Sequence, residues 1–330
     1  MPAKKEIIVG VDLGGTSLRA VVVDPHDQTL AEVKTPTPVA VAPDVLIRAI
    51  AHTVDEAVKV ANLSRRAIGA VSIGAPGSVD MKTGMVNRAP NLGWTEVPLS
   101  KKLKALLRVP VLVGNDVHVG AIGEYTLGAG RGSEYMVGIF IGTGIGGAII
   151  TRGQLYQGSR GGAGELGHTV IVADGPLCSC GHRGCAEALG SRTAMEREVR
   201  AAIKSGKKSV VLKIMKDRGR ERMTSSVMAR ALRQRDPVMQ QVLERAQYHL
   251  GILVANAVNV FDPECVVIGG GIADRLGENF VEPIRRTAYR YFLRARDAER
   301  VKILPGSLGD NAGALGAVVL ARQWLQQHKQ

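Results

Sequence analysis

Twice in this chain an apolar run breaks at a glycine turn and resumes as a second apolar run. The first unit is Ile7–Val11, then Asp12-Leu13-Gly14-Gly15-Thr16, then Leu18–Val23. The second is Tyr135–Ile141, then Gly142-Thr143-Gly144-Ile145-Gly146-Gly147, then Ala148–Thr151. Each reads as a β-hairpin with a glycine turn. Two such hairpins about 130 residues apart predict a duplicated α/β architecture with one hairpin per lobe. A third glycine cluster, Gly269-Gly270-Gly271, follows the apolar run Cys265–Ile268.

Glycine at a strand end lets the backbone approach a ligand and turns successive N–H groups toward one point, which suits phosphate oxygens. None of the three clusters has the P-loop spacing, and Gly142–Gly147 precedes a strand where a dinucleotide fingerprint would precede a helix. With Asp12, a carboxylate suited to a metal-bound phosphate, the turns describe a nucleotide cleft between two lobes.

Between the turns the pattern alternates. Thr29–Thr37 reads as a third strand, and Asp44 as the cap of a helix with Val45, Leu46, Ile50, Val54, Ala57, Val58 and Ala61 at helical intervals. Ala67–Ile73 and Val109–Val113 are strands ending in Gly74-Ala75-Pro76-Gly77 and Gly114-Asn115-Asp116. A helix is expected from about Ala186 to Ile203, a second from Asp236-Pro237 to Val260, and a last one from Asn311 to Leu325. The expected division is a small α/β domain over 1–125, with helix 311–328 packing back on it, and a large α/β domain over 126–310. A length of 330 residues suits two lobes of ordinary size.

Apolar residues make up 45% and charged residues 22%, the balance of a folded, soluble chain. The longest uncharged stretch, Tyr135–Thr151, holds five glycines in 17 residues and is too short to span a membrane. Lys4 and Lys5 precede an apolar run that Asp12 cuts at five residues, so no signal peptide is read and a cytoplasmic location is expected. The net charge of +13 is uneven: residues 204–235 hold eleven Lys or Arg against two acids, nine of the thirteen net charges. No aromatic residue falls in that stretch, so it reads as a solvated helical face, and neither a nucleic-acid nor a membrane partner is expected.

Cys178, Cys180 and Cys185, with His168 ten residues upstream, supply three thiolates and one imidazole. That is a closed tetrahedral zinc set of the structural type. Cys265 stands apart in an apolar run and reads as a buried small hydrophobe.

The three glycine clusters resemble the two phosphate motifs and the adenosine motif of the actin-like sugar kinases. The remaining motifs narrow the resemblance to the ROK family (repressors, open reading frames, kinases), over residues 7 to about 322. The resemblance implies the actin-like ATPase (ribonuclease H-like) two-lobe sugar kinase fold, with ATP and Mg²⁺. It carries nucleotide contacts onto Asp12, Gly14, Gly15, Thr16, Thr143, Gly144, Gly269, Gly270 and Gly271. Phosphorylating a sugar hydroxyl needs a carboxylate to take its proton. By the resemblance that base is Asp116, and Asn115 holds the sugar beside it. The family's other sugar contacts map onto Gly77, onto Asn91 in Pro90-Asn91-Leu92-Gly93-Trp94, onto Glu165 and His168 in Glu165-Leu166-Gly167-His168, and onto Glu187. Trp94 itself is expected in the core. The cysteine segment resembles the family's zinc motif, including Gly181 and Gly184.

The Asn-Leu-Gly-Trp form most resembles the glucokinase branch, which puts glucose first. Mannose, fructose or an N-acetylhexosamine, and polyphosphate as donor, are the alternatives. A ROK repressor would carry a helix-turn-helix before its first phosphate motif, which here begins at residue 12. His118 departs from the family's asparagine two residues after the base. The expected assembly is a homo-oligomer, a dimer or tetramer.

Overall fold

A computed structural model describes residues 7–38 and 40–328. The chain forms two compact units, one of residues 1–128, 157–162 and 311–330, the other of residues 129–156 and 163–310.

The first unit opens with the expected hairpin, β1 (Ile7–Leu13) against β2 (Ser17–Val23), and continues antiparallel to β3 (Thr29–Pro36). After helix α1 (Pro43–Val60), strand β4 (Ile68–Ala75) pairs parallel with β1. All eight residues of β4 are buried, as expected of a strand covered on both faces. A small sheet, β5 (Ser78–Asp80), β6 (Met85–Ala89) and β7 (Trp94–Val97), leads to α2 (Leu99–Leu107). Strand β8 (Val111–Asn115) then completes the main sheet in the order β3-β2-β1-β4-β8, and α3 (Asp116–Thr126) follows at once. One sheet face packs on α1 and α2 through Leu46, Ile50, Val54, Leu99 and Leu103. The other face, with Ile8, Val21, Val23 and Ala70, is covered by Ala314, Val318 and Ala321 of the C-terminal helix Ala312–Gln327. That helix also lies against α3 so closely that a Cβ on Gly316 would fall 1.8 Å from the Val119 carbonyl oxygen.

The second unit repeats the plan. Hairpin β9 (Met136–Ile141) and β10 (Ile145–Thr151) adds β11 (Gln154–Leu155) on one side. The chain continues through α4 (Ala186–Gly190), α5 (Arg192–Lys204), α6 (Val211–Asp217), α7 (Ser225–Arg233) and α8 (Pro237–Phe261). It then returns as β12 (Cys265–Gly269), parallel to β9. After α9 (Ala273–Leu276) and α10 (Glu278–Arg290), β13 (Lys302–Pro305) closes the order β11-β10-β9-β12-β13. In both sheets the third, second and first strands of the unit form a meander, and two parallel strands extend it. The duplication inferred from the two hairpins is therefore a duplication of topology.

Three local expectations are corrected. Asp44 does not cap α1: Pro43 takes the first helical position, Ala42 precedes it without a side-chain cap, and Asp44 pairs with Lys102 from the first turn. The helix expected over 186–203 is two helices, because Ser191 leaves helical geometry and its hydroxyl caps α5 through Ala194 N at 3.1 Å. The resumed strand starts at Ile145 rather than Ala148, so Gly146 and Gly147 are strand residues. Asp236 does cap α8, with Pro237 behind it. Among the described residues no helix is long and apolar enough to cross a membrane.

Candidate active site and metal centre

In the first unit, register brings the candidate residues to one edge of the sheet. Asp12 pairs with Gly74 across β1 and β4, and Gly74 with Gly114 across β4 and β8. Asp12, the turn after Gly74, and Asn115-Asp116 thus meet at the carboxyl ends of three neighbouring strands, where α/β sheets bind ligands. Asn115, rather than Asp116, caps α3. Its Oδ1 accepts from Val117 N and His118 N, each at 3.0 Å. Its Nδ2 donates to the Gly77 carbonyl at 2.9 Å and to Asp116 Oδ1 at 3.1 Å. Gly77 has φ +90°, and a Cβ there would lie 2.2 Å from the Arg88 carbonyl oxygen, so only glycine fits this loop.

Asp116 is the first residue of α3, and its Oδ1 also accepts from Val117 N at 2.9 Å. Loss of solvent around the carboxyl, reinforced by the charge of Asp12, raises its pKa to about 7; bonds from Val117 and Asn115 oppose the rise. A carboxyl so poised can take a proton near neutral pH. Asn91 is exposed in the short turn Pro90–Leu92, while Trp94 is buried in the core. The first glycine turn is held from β3's end: Thr37 Oγ1 donates to the Gly14 carbonyl at 2.6 Å, and Thr37 N to Thr16 O at 3.1 Å. Gly15 and Thr16 are left exposed.

In the second unit, Gly269 pairs with Phe140 across β12 and β9, so the turns after Ile141 and after Gly269 share one edge. The start of α5 anchors the first of them. Arg192 N donates to the Gly142 carbonyl at 3.0 Å, Thr193 Oγ1 to the Thr143 carbonyl at 2.8 Å, and the Arg192 guanidinium to Thr143 Oγ1 at 2.6 Å. Glu187 anchors it from another side. Its Oε2 accepts from Ile145 N at 2.9 Å, and its Oε1 from Ser179 Oγ at 2.8 Å. A Cβ on Gly144 would sit 2.3 Å from Glu187 Oε2, so a side chain there would displace this carboxylate. Glu187 therefore ties the glycine turn to the cysteine loop. Glu165 is exposed at the head of the turn Leu166–His168, which packs on β10, and its carbonyl accepts from His168 N at 3.0 Å.

The four candidate metal ligands converge. Their donor atoms all lie within 4.8 Å of one another, with His168 Nδ1 3.6 Å from Cys178 Sγ and Cys180 Sγ 3.7 Å from Cys185 Sγ. A tetrahedral Zn²⁺ with Zn–S bonds near 2.3 Å requires sulfur pairs about 3.8 Å apart, so the set fits the ion. The thiols differ in how readily they reach the thiolate form that a zinc ligand requires. Bonds from the His182 backbone and ring lower the Cys180 pKa to about 6, while burial and the neighbouring sulfurs push Cys185 up to about 12.

Sequence reading missed Ser179, Arg192 and Thr193. Ser179 hid between two ligands. The other two were signalled by Gly190-Ser191, a helix stop followed by a cap.

A model of the ROK family matches residues 8–324. The glucokinase of Thermotoga maritima is 35% identical over 324 residues, 98% of this chain and 99% of that protein. A putative xylose repressor of Caldicellulosiruptor sp. is 31% identical over 95% of this chain and 77% of its own length. A ROK family glucokinase of Streptomyces griseus, solved in complex with glucose and AMPPNP, matches with a TM-score of 0.84 at 34% identity, over 96% of this chain and 99% of that one. The likeness runs through both units and every glycine turn described above, and this chain belongs to the ROK family.

Proposed function

We propose that this protein is an ATP-dependent glucokinase that transfers the γ-phosphoryl group of ATP to the 6-hydroxyl of glucose. The observation that carries the reading is Asp116. It is partly buried at a sheet edge with a pKa raised to about 7, and Asn115 and the Gly77 loop hold it. A carboxyl poised to exchange a proton favours phosphoryl transfer over sugar sensing alone.

In this reading Asn91, Asn115, Glu165, His168 and Glu187 orient the sugar hydroxyls, and Asp116 accepts the proton of the attacking hydroxyl as the phosphoryl group arrives. Backbone N–H groups of the turns at Gly14–Thr16 and Thr143–Gly144 receive the phosphates, and the turn at 269–271 receives the adenosine. Asp12 would hold the Mg²⁺ that screens the phosphate charge. Zinc on His168, Cys178, Cys180 and Cys185 would be structural, cross-linking the loop that carries Ser179 to the turn that carries Glu165. His168 would meet the metal through Nδ1, leaving Nε2 for a sugar hydroxyl.

A coupled assay over glucose, mannose, fructose and N-acetylhexosamines, with ATP and polyphosphate as donors, tests the reading. Glucose with ATP should give the highest kcat/KM. Another hexose ahead of glucose would reassign the substrate, and no turnover with any hexose would remove the kinase reading.

A further inference from the structure

Arg192 carries a charge that its surroundings balance only in part. It is the first residue of α5, where the helix dipole disfavours a cation. It is half-buried, and burial followed by the like charge of Arg222 lowers its pKa. The acid next to it on the helix face, Glu196, is already committed. Glu196 Oε1 accepts from Arg200 Nε at 2.9 Å, and Oε2 accepts from Arg222 Nε and Met223 N, each at 3.0 Å.

Among the described residues the Arg192 guanidinium makes one hydrogen bond, to the neutral hydroxyl of Thr143, and no ion pair. A guanidinium has five N–H donors in a fixed fork. Three unfavourable contributions against one neutral partner and the smaller attraction of an already shared Glu196 make a poor structural prop. They suit a site whose missing member is an anion, and the fork meets the glycine turn 142–144 at its exposed residue, Thr143.

We propose that Arg192 binds phosphoryl oxygens of the donor nucleotide at the Thr143–Gly144 turn and so selects a polyphosphorylated donor. Bidentate guanidinium–phosphate contacts give both charge and direction, which backbone N–H groups alone do not. The proposal rests on reading 142–147 as a donor-phosphate turn. Of the basic stretch 204–235 it involves Arg222, through its like charge on Arg192.

The test is Arg192→Met and Arg192→Lys, each titrated with ATP, adenosine and inorganic tripolyphosphate, with KM for ATP and glucose and the melting temperature of the ligand-free protein. Losing a charge-assisted contact should weaken ATP and tripolyphosphate roughly ten- to hundredfold in Arg192→Met. Adenosine affinity and glucose KM should hold, the ligand-free melting temperature should stay or rise, and Arg192→Lys should recover part of the loss. Unchanged ATP affinity would overturn the proposal. So would a parallel loss of adenosine affinity and melting temperature, the mark of a structural prop. If Arg192→Met does not fold, Arg192→Lys decides: it keeps the charge and loses the fork, and wild-type ATP affinity in it would overturn the assignment. Wild-type turnover of glucose is read separately. A wild type that binds tripolyphosphate through Arg192 and phosphorylates no sugar would sink the kinase reading and leave this site standing.

Discussion

Asp116 owes its chemistry to the point at which β8 ends. One residue earlier it would lie in the sheet; one turn later it would face away from Asp12 along the helix. At the first position of α3 it sits close enough to Asp12 for the two charges to oppose each other, and Asn115 keeps its carboxyl from turning. Asp116→Asn preserves this shape and removes the proposed base, so kcat should fall about 10²- to 10⁴-fold while glucose affinity changes little. Retention of a tenth of the wild-type rate would disqualify Asp116. The pH profile follows from the same carboxyl. Below a pKa of about 7 it carries a proton and cannot accept another, so kcat/KM should fall toward tenfold per pH unit on the acid side. A flat profile down to pH 5 would place the base elsewhere.

The elements were legible in the sequence to different depths. Both hairpins and the strands at 68–75 and 265–269 followed from apolar runs cut by glycine, because a strand needs only local pattern to declare itself. The break at Ser191 was not read, since apolar spacing runs through Leu189 and Ala194 and hides a stop of one residue. The bond from Glu187 to Ile145 was out of reach for another reason: it joins residues 42 apart and leaves no mark in local composition. That bond alters what metal loss should do. Cys180→Ser should lower zinc content and raise the KM for glucose through Glu165 and His168. It should also raise the KM for ATP, because the Ser179–Glu187–Ile145 chain loosens the second glycine turn. Zinc loss with both constants unchanged would show that the cysteine loop is remote from the site. Asp236 offers a check free of ligands. Buried at the head of α8, it takes Met239 N at 2.8 Å on one oxygen and Val210 N at 2.6 Å on the other. Asp236→Ala should cost about 1–3 kcal/mol in urea unfolding, with KM values unchanged.

At the scale of the molecule, catalytic readiness and stability pull in opposite directions. A carboxyl whose folded pKa lies above its unfolded value favours folding only while protonated. Its contribution is present below about pH 4 and lost as pH rises through about 7. Asp116→Asn should therefore melt a few degrees higher than wild type at pH 8 and show no such advantage at pH 4. The charge on the other unit is of a different kind. All eleven basic residues of 204–235 are exposed, with Ile214, Met215, Val227 and Met228 turned inward. Replacing Lys207, Lys208, Lys213 and Lys216 by Glu should leave ATP-driven turnover nearly unchanged. A polyphosphate-driven rate that matched the ATP rate and collapsed in this variant would give the face a role in donor binding.

The last helix has a consequence for how the chain is born. Ile8, Val21, Val23 and Ala70 belong to the first quarter of the sequence, and what shields them is Ala314, Val318 and Ala321. During synthesis the first sheet can assemble on α1 early, yet it must wait for some 240 further residues before its second face is covered. At roughly 5–20 residues per second that interval lasts tens of seconds, long enough for the bare face to find a chaperone or another nascent chain.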